Sequence, residues 1–258
     1  MKLRMSVELG LNIFQKLWVI IKSFFWKNTD IMYINSNVKI FNIKDAKYLV
    51  RSSNVKIINC QSKKSITLND LRKHFLKSRL NLFQILRNLQ ESSLITYCGF
   101  CSSMFGVYDG FKIGNTFKFQ LIDYNNKYYS INENLKYKDH FISIDDSKKE
   151  INIIISSSYD ISKNKVQSVP TYSFDKKGPN KLNSTYLNEI YSFVRSILDS
   201  CCSTDVRKVN LYIAGKQSVN FIVGLAIQTY HPQVFVHEYR DNRFKFYMDL
   251  FNGKIMEE

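Results

Sequence analysis

The sequence predicts an α/β fold made of two related halves, preceded by an N-terminal amphipathic helix and short strands. Three observations carry that expectation. Of the 258 residues 45% are hydrophobic and only three are proline, more apolar content than a disordered or linker-like chain holds. Extended and helical patterns alternate along the chain, the arrangement that builds parallel sheets with right-handed crossovers. From residue 65 onward one order of elements is written twice: helix, strand, glycine- and serine-bearing turn, helix, strand.

The elements follow in order. Leu9, Ile13, Leu17, Ile20, Ile21, Phe24 and Phe25 recur at helical spacing, so residues 7–26 form an amphipathic helix. Lys16 and Lys22 interrupt it too often for a membrane span, which needs about 20 mostly apolar residues. With Trp18 and Trp26 it suits a membrane surface, although packing on its own domain or on a partner is the commoner outcome for such a helix. Residues 30–43 and 55–59 read as peripheral strands. Residues 1–55 are therefore set off as an N-terminal segment, and 56–258 as the main domain, with halves of about 56–145 and 146–258.

The first half opens with a helix over 68–90, carrying Leu71, Phe75, Leu80, Phe83, Leu86 and Leu89 on its apolar side. A strand at 94–97, the turn from Cys98 to Ser103, a helix at 104–113 with Gly106 and Gly110, and a strand at 117–124 complete it. The second half repeats this with a helix at 184–200, a strand at 208–213, the turn from Ala214 to Ser218, a helix at 219–229 with Gly224, and a strand at 233–239. Between the halves, 149–155 reads as a buried strand that ends in Ser156, Ser157, Ser158 and Tyr159.

This order has chemical consequences. In such sheets ligands bind beyond the carboxyl ends of the strands, where a helix N-terminus offers free N–H groups and a positive dipole to phosphate. Gly99, Phe100, Cys101, Ser102 and Ser103 occupy that place in the first half, and Gly215, Lys216, Gln217 and Ser218 in the second. Two such turns facing each other make a quasi-symmetric anion pocket. The hydroxyls and aromatic ring of Ser157, Ser158 and Tyr159 suit phosphate and base contact as well as they suit a polar strand exit. A formal charge of +15 favours polyanionic partners: nucleic acid, nucleotides or an anionic membrane.

Other chemistries find less support. Neither turn has the Walker Lys-Ser/Thr ending or a full G-x-G-x-x-G, which argues against ATP hydrolysis or a dinucleotide cofactor. Cys60, Cys98, Cys101, Cys201 and Cys202 form no even framework, and no secretory signal opens the chain, so a reducing cytoplasm is expected. Cys98 and Cys101 have redox spacing, but a strand leads into them, and they are read as structural. His74, His140, His231 and His237 are scattered, so no catalytic residue, metal or cofactor is assigned.

The blocks Tyr97–Gly106 and Leu211–Gly224, the intervening Ile153–Ile161 and the closing Val234–Tyr239 resemble those of the SAVED sensor domains, over roughly residues 55–250. These sensors accompany bacterial cyclic-oligonucleotide synthases in antiphage (CBASS) and CRISPR-linked defence. The resemblance implies two fused CARF-like Rossmann-type halves and a cyclic tri- or tetranucleotide ligand, typically adenine-containing. It further implies head-to-tail self-association on binding and activation of an effector, here on a separate polypeptide. By position Ser102, Ser103, Lys216, Gln217 and Ser218 meet phosphate or ribose, while Tyr124, Tyr159 and Tyr239 stack on or frame bases. Gly215-Lys216 departs from the small or proline residue usual in the family's second block. The rival readings are a ring nuclease, with His237 or Asp160 as base, a membrane-acting protein, and a plain nucleic-acid binder.

Overall fold

The structure is a computed structural model that describes residues 30–50, 55–62, 67–88, 94–114, 118–125, 127–132, 135–139, 142–145, 147–161, 169–240 and 243–258; the helix expected at 7–26 lies outside them. The first half contains β1 (Asp30–Ser36), β2 (Val55–Gln61), α1 (Leu68–Asn88), β3 (Leu94–Cys98), α2 (Ser103–Ile113), β4 (Lys118–Asn125) and β5 (Lys127–Asn132). The second contains β6 (Glu150–Ser156), β7 (Thr171–Phe174), α3 (Ser184–Cys201), β8 (Lys208–Ala214), α4 (Gln217–Ala226), β9 (Gln233–Arg240), β10 (Arg243–Asp249) and β11 (Lys254–Glu257).

Each half builds its own sheet. The first runs β2-β1-β3-β4-β5 and the second β11-β10-β9-β8-β6-β7. In both, four parallel strands are followed by an antiparallel edge: β2, β1, β3 and β4 then β5, and β7, β6, β8 and β9 then β10 and β11. The repeat therefore begins at β1, not at residue 65. β1 is also not peripheral: it lies between β2 and β3, and Met32, Tyr33 and Ile34 are fully buried. Of the two strands read as peripheral, only β2 lies at a sheet edge. Strands β1, β6 and β8 are each buried at six of their seven residues.

One apolar cluster takes in the inward faces of both sheets and the buried sides of α1, α2, α3 and α4. Helices α2 and α4 cross between the sheets at their glycines. A Cβ on Gly110 would stand 2.0 Å from the carbonyl oxygen of Phe221, and one on Gly224 2.1 Å from that of Val107. The reciprocity marks the pseudo-two-fold axis, and only residues without a side chain permit backbones this close. Each crossing helix also reaches the other half's sheet: Phe221 of α4 stacks on Tyr97 of β3 at 4.3 Å between ring centroids.

Candidate functional site

The turns that leave β1, β3, β6 and β8 open on one end of the molecule. In the first half the N–H groups of Asn37 and Val38 both donate to the Phe100 carbonyl at 3.0 Å. In the second half the N–H groups of Ser157 and Ser158 donate to the Ala214 carbonyl at 2.9 and 2.7 Å. The same backbone clasp thus joins the two middle strands of each sheet's four parallel strands at their carboxyl ends. Gly99 makes the first clasp sterically feasible: its φ is +140°, and a Cβ there would lie 1.9 Å from the Asn35 carbonyl oxygen.

The clasp and its surroundings divide the expected site residues into two groups. Gly99, Cys101, Ser102, Ser157, Gln217 and Ser218 are buried and bonded inward. Ser102 exchanges hydrogen bonds with Asn37, its N–H donating to Oδ1 at 2.9 Å and its hydroxyl accepting from Nδ2 at 3.3 Å. Gln217 Nε2 donates to Tyr97 Oη at 2.7 Å and to Cys101 Sγ at 2.8 Å. The Ser157 carbonyl accepts from Gly178 N–H at 2.9 Å. Phe100, Ser103, Tyr124, Ser158, Tyr159, Gly215, Lys216 and Tyr239 remain at least partly open to solvent.

The open residues gather into two rims. In the first, the Phe100 and Tyr124 rings meet edge to face at 6.1 Å, with Lys39 Nζ 5.5 and 5.2 Å from their centroids. In the second, Tyr159 and Tyr239 lie 6.0 Å apart. Lys216 Nζ donates to the Asn180 carbonyl at 2.6 Å and to Tyr129 Oη at 3.3 Å, so its ammonium spans the loop after β7 and strand β5 of the other half. An aromatic face beside a lysine is the pairing that receives a base and its phosphate.

The helix N-termini differ from expectation. The sequence suggests N–H groups left free for phosphate, yet each terminus already holds a carboxylate from the opposite half. Ser103 N–H, at the start of α2, donates to Glu238 Oε2 of β9 at 2.9 Å. The Ser218 hydroxyl and N–H, at the start of α4, donate to Asp123 of β4. Neither helix is capped by its own preceding side chain. Burial pushes the Asp123 carboxyl above the usual carboxylate range, and its hydrogen bonds from Ser218 and Tyr124 N–H together with the nearby Lys216 charge oppose that rise. Asp123-Tyr124 and Glu238-Tyr239 are equivalent pairs at the ends of equivalent strands: the acid turns inward to a helix and the tyrosine outward to a rim. Lys39, Asn37, Asp123 and Glu238 escape a sequence reading, because each owes its place to a partner 61 or more residues away.

The remaining candidates lie elsewhere. Cys98 and Cys101 are buried, and burial pushes both thiols up, which fits structural cysteines. His237 is on the outer face of the second sheet, hydrogen-bonded to Glu258 and to Asn210 Oδ1, in a cleft of about 510 Å³. His74 belongs to a buried network under the first rim, and His231 bonds Asp199 at 2.9 Å. His140 lies outside the described residues, among which no His/Cys/Asp/Glu group has the arrangement of a metal site. No described helix is long and apolar enough to cross a membrane.

Comparison with known proteins adds the lineage. Residues 78–250 match the family model of SAVED, the SMODS-associated and fused to various effectors sensor domain. No curated protein sequence matches the chain. Among solved structures the fold is similar to the Cap4 SAVED/CARF-domain containing receptor of Acinetobacter baumannii, at 14% identity and a TM-score of 0.53 over 84% of this chain and 48% of that one. It is also similar to the same receptor with the cyclic trinucleotide 2'3'3'-cAAA, at 12% identity and a TM-score of 0.52 over 84% of this chain and 50% of that one. The chain spans about half the length of these receptors.

Proposed function

The chain belongs to the SAVED family of sensor domains, and on that premise we propose that it binds a cyclic oligonucleotide second messenger of the tri- or tetra-adenylate class in antiphage defence. The observation that carries the proposal is the pair of rims related by the pseudo-two-fold axis. Phe100, Tyr124 and Lys39 form one and Tyr159 and Tyr239 the other, each offering a ring face, while a second cation, Lys216, is held against Tyr129 and Asn180. A ring of nucleotides repeats base and phosphate around itself, and a receptor made of two similar halves can meet two of those repeats alike. The A. baumannii receptor, similar in fold, is known with two such trinucleotides, 2'3'3'-cAAA and 3'3'3'-cAAA. Signalling belongs to the same proposal: on binding, the sensor associates head to tail, activates a separate effector, or does both, and the family's fusion to various effectors supports the effector step.

The test is thermal shift of the purified protein against cyclic di-, tri- and tetranucleotides, with linear oligoadenylate and ATP as controls. A ligand at 100 times its Kd that binds only the native state adds about 2.7 kcal/mol, a shift of several degrees for a chain this size. The expected result is a shift with one cyclic species, which chromatography then recovers intact. A folded sample that responds to none of the cyclic species overturns the proposal.

A further inference from the structure

The two inward-turned carboxylates have a role beyond capping. We propose that Asp123 and Glu238 are specificity-determining residues that exclude dianionic phosphate from the site, so that it accepts phosphodiesters and rejects ligands bearing a terminal phosphomonoester. The inference rests on the sensor reading above and says how that site separates a closed ring from a linear chain of the same bases.

Geometry supplies the first step. Both acids are all but buried, with exposures of 6% and 7%, directly beneath the open rims. Their bonds to Ser218 and to Ser103 N–H occupy the positive ends of α4 and α2, the places where a phosphate in such a fold finds N–H donors. An incoming anion therefore meets a carboxylate where it would otherwise meet a helix dipole.

Charge supplies the second. Lys216 offers one positive charge, tethered by Asn180 and Tyr129, with Asp123 close enough to feel it. Those two charges cancel, so every negative charge a ligand adds there is an unmatched one. A phosphodiester carries one at any pH above about 2, whereas a terminal phosphomonoester carries between one and a half and two near neutrality. The extra charge is opposed by a carboxylate held in a poorly hydrated site, where repulsion is stronger than in water. Symmetry doubles the effect, since Glu238 stands behind Tyr159 and Tyr239 as Asp123 stands behind Tyr124.

The test compares Asp123→Asn, Glu238→Gln and the double variant with the unmodified chain, using cyclic triadenylate and linear 5'-phosphorylated triadenylate as probes in isothermal titration. Asparagine and glutamine keep an oxygen for the helix N–H, so both caps survive, and a thermal melt without ligand checks that the variants fold. The expected outcome is that each neutral variant gains about tenfold in affinity for the linear phosphorylated probe, with the cyclic probe changed by less than about threefold. Equal changes for both probes, or none for either, while the unmodified chain still binds the ring, overturn the exclusion and leave the sensor reading standing. Failure of the unmodified chain to bind the ring at all overturns the sensor reading and this inference with it.

Discussion

Beneath the first rim a single carboxylate is enclosed by hydroxyl and amide groups. Asp109 is fully buried and accepts from Asn35 Nδ2 at 2.6 Å, Tyr97 Oη at 2.9 Å and Ser78 Oγ at 3.4 Å. Asn35 Oδ1 bonds His74 Nε2 at 2.7 Å, and Gln217 reaches Tyr97 from the other half, so the network ties β1, β3, α1, α2 and α4 together. Burial raises the Asp109 carboxyl to about 7 and lowers the His74 imidazole to about 4. The two act in opposite directions. Asp109 holds a proton in the native state that the unfolded chain releases, so its contribution is full below about pH 4 and fades as pH rises through 7. His74 stays neutral when folded, so its contribution is full above about pH 6.5 and fades as pH falls through 4. Between these limits they offset each other. Asp109→Asn leaves the His74 dependence alone, and stability should then fall by about 3 kcal/mol from pH 6.5 to 4. Denaturant unfolding across that range checks it; a variant curve parallel to that of the unmodified chain disproves the opposition.

Among the elements, the helix crossing sets the tightest constraint. In an exposed helix a glycine-to-alanine change stabilises by about 1 kcal/mol. Here Gly110→Ala or Gly224→Ala drives a methyl into a carbonyl oxygen of the partner helix, with no flexible side chain to give way. Each substitution should cost about 3 kcal/mol or more, read as a lowered denaturation midpoint, since a tight contact must part. A neutral result would show that the helices stand further apart. The crossing itself was half legible in the sequence: Gly106, Gly110 and Gly224 stood out within apolar helices, though nothing local named their partners. Helices α1 to α4 and strands β3, β4, β8 and β9 follow the predicted periods because their buried sides repeat at 3.6 or run unbroken. β1 read as peripheral because its covering comes from elsewhere in the chain, partly the stretch of Phe41 and Ala46 that packs on Met32 and Ile34. The acid–tyrosine pairs were legible only by half. A tyrosine after a strand suggests a rim, but the direction of the preceding carboxylate depends on a helix 95 or 135 residues away in sequence.

At the scale of the whole molecule the two sheets do not make two independent units. The inward face of the first sheet is covered in part by α4, through Phe221 against Tyr97 and Phe119, and the start of α2 is capped by Glu238 of the second. Separating the halves would expose both inner faces, break the Gln217–Tyr97 bond and uncap both crossing helices. A single apolar cluster of this kind melts once. Calorimetry should therefore give one transition with equal calorimetric and van't Hoff enthalpies. Native-state hydrogen exchange should give the amides of β3 and β8 the same opening free energy within about 1 kcal/mol. Exchange from one sheet well before the other would show that the crossing is a contact between folded units. In a single cooperative body, ligand held by both rims stabilises the two sheets together, and occupancy at the strand ends is felt across the whole chain.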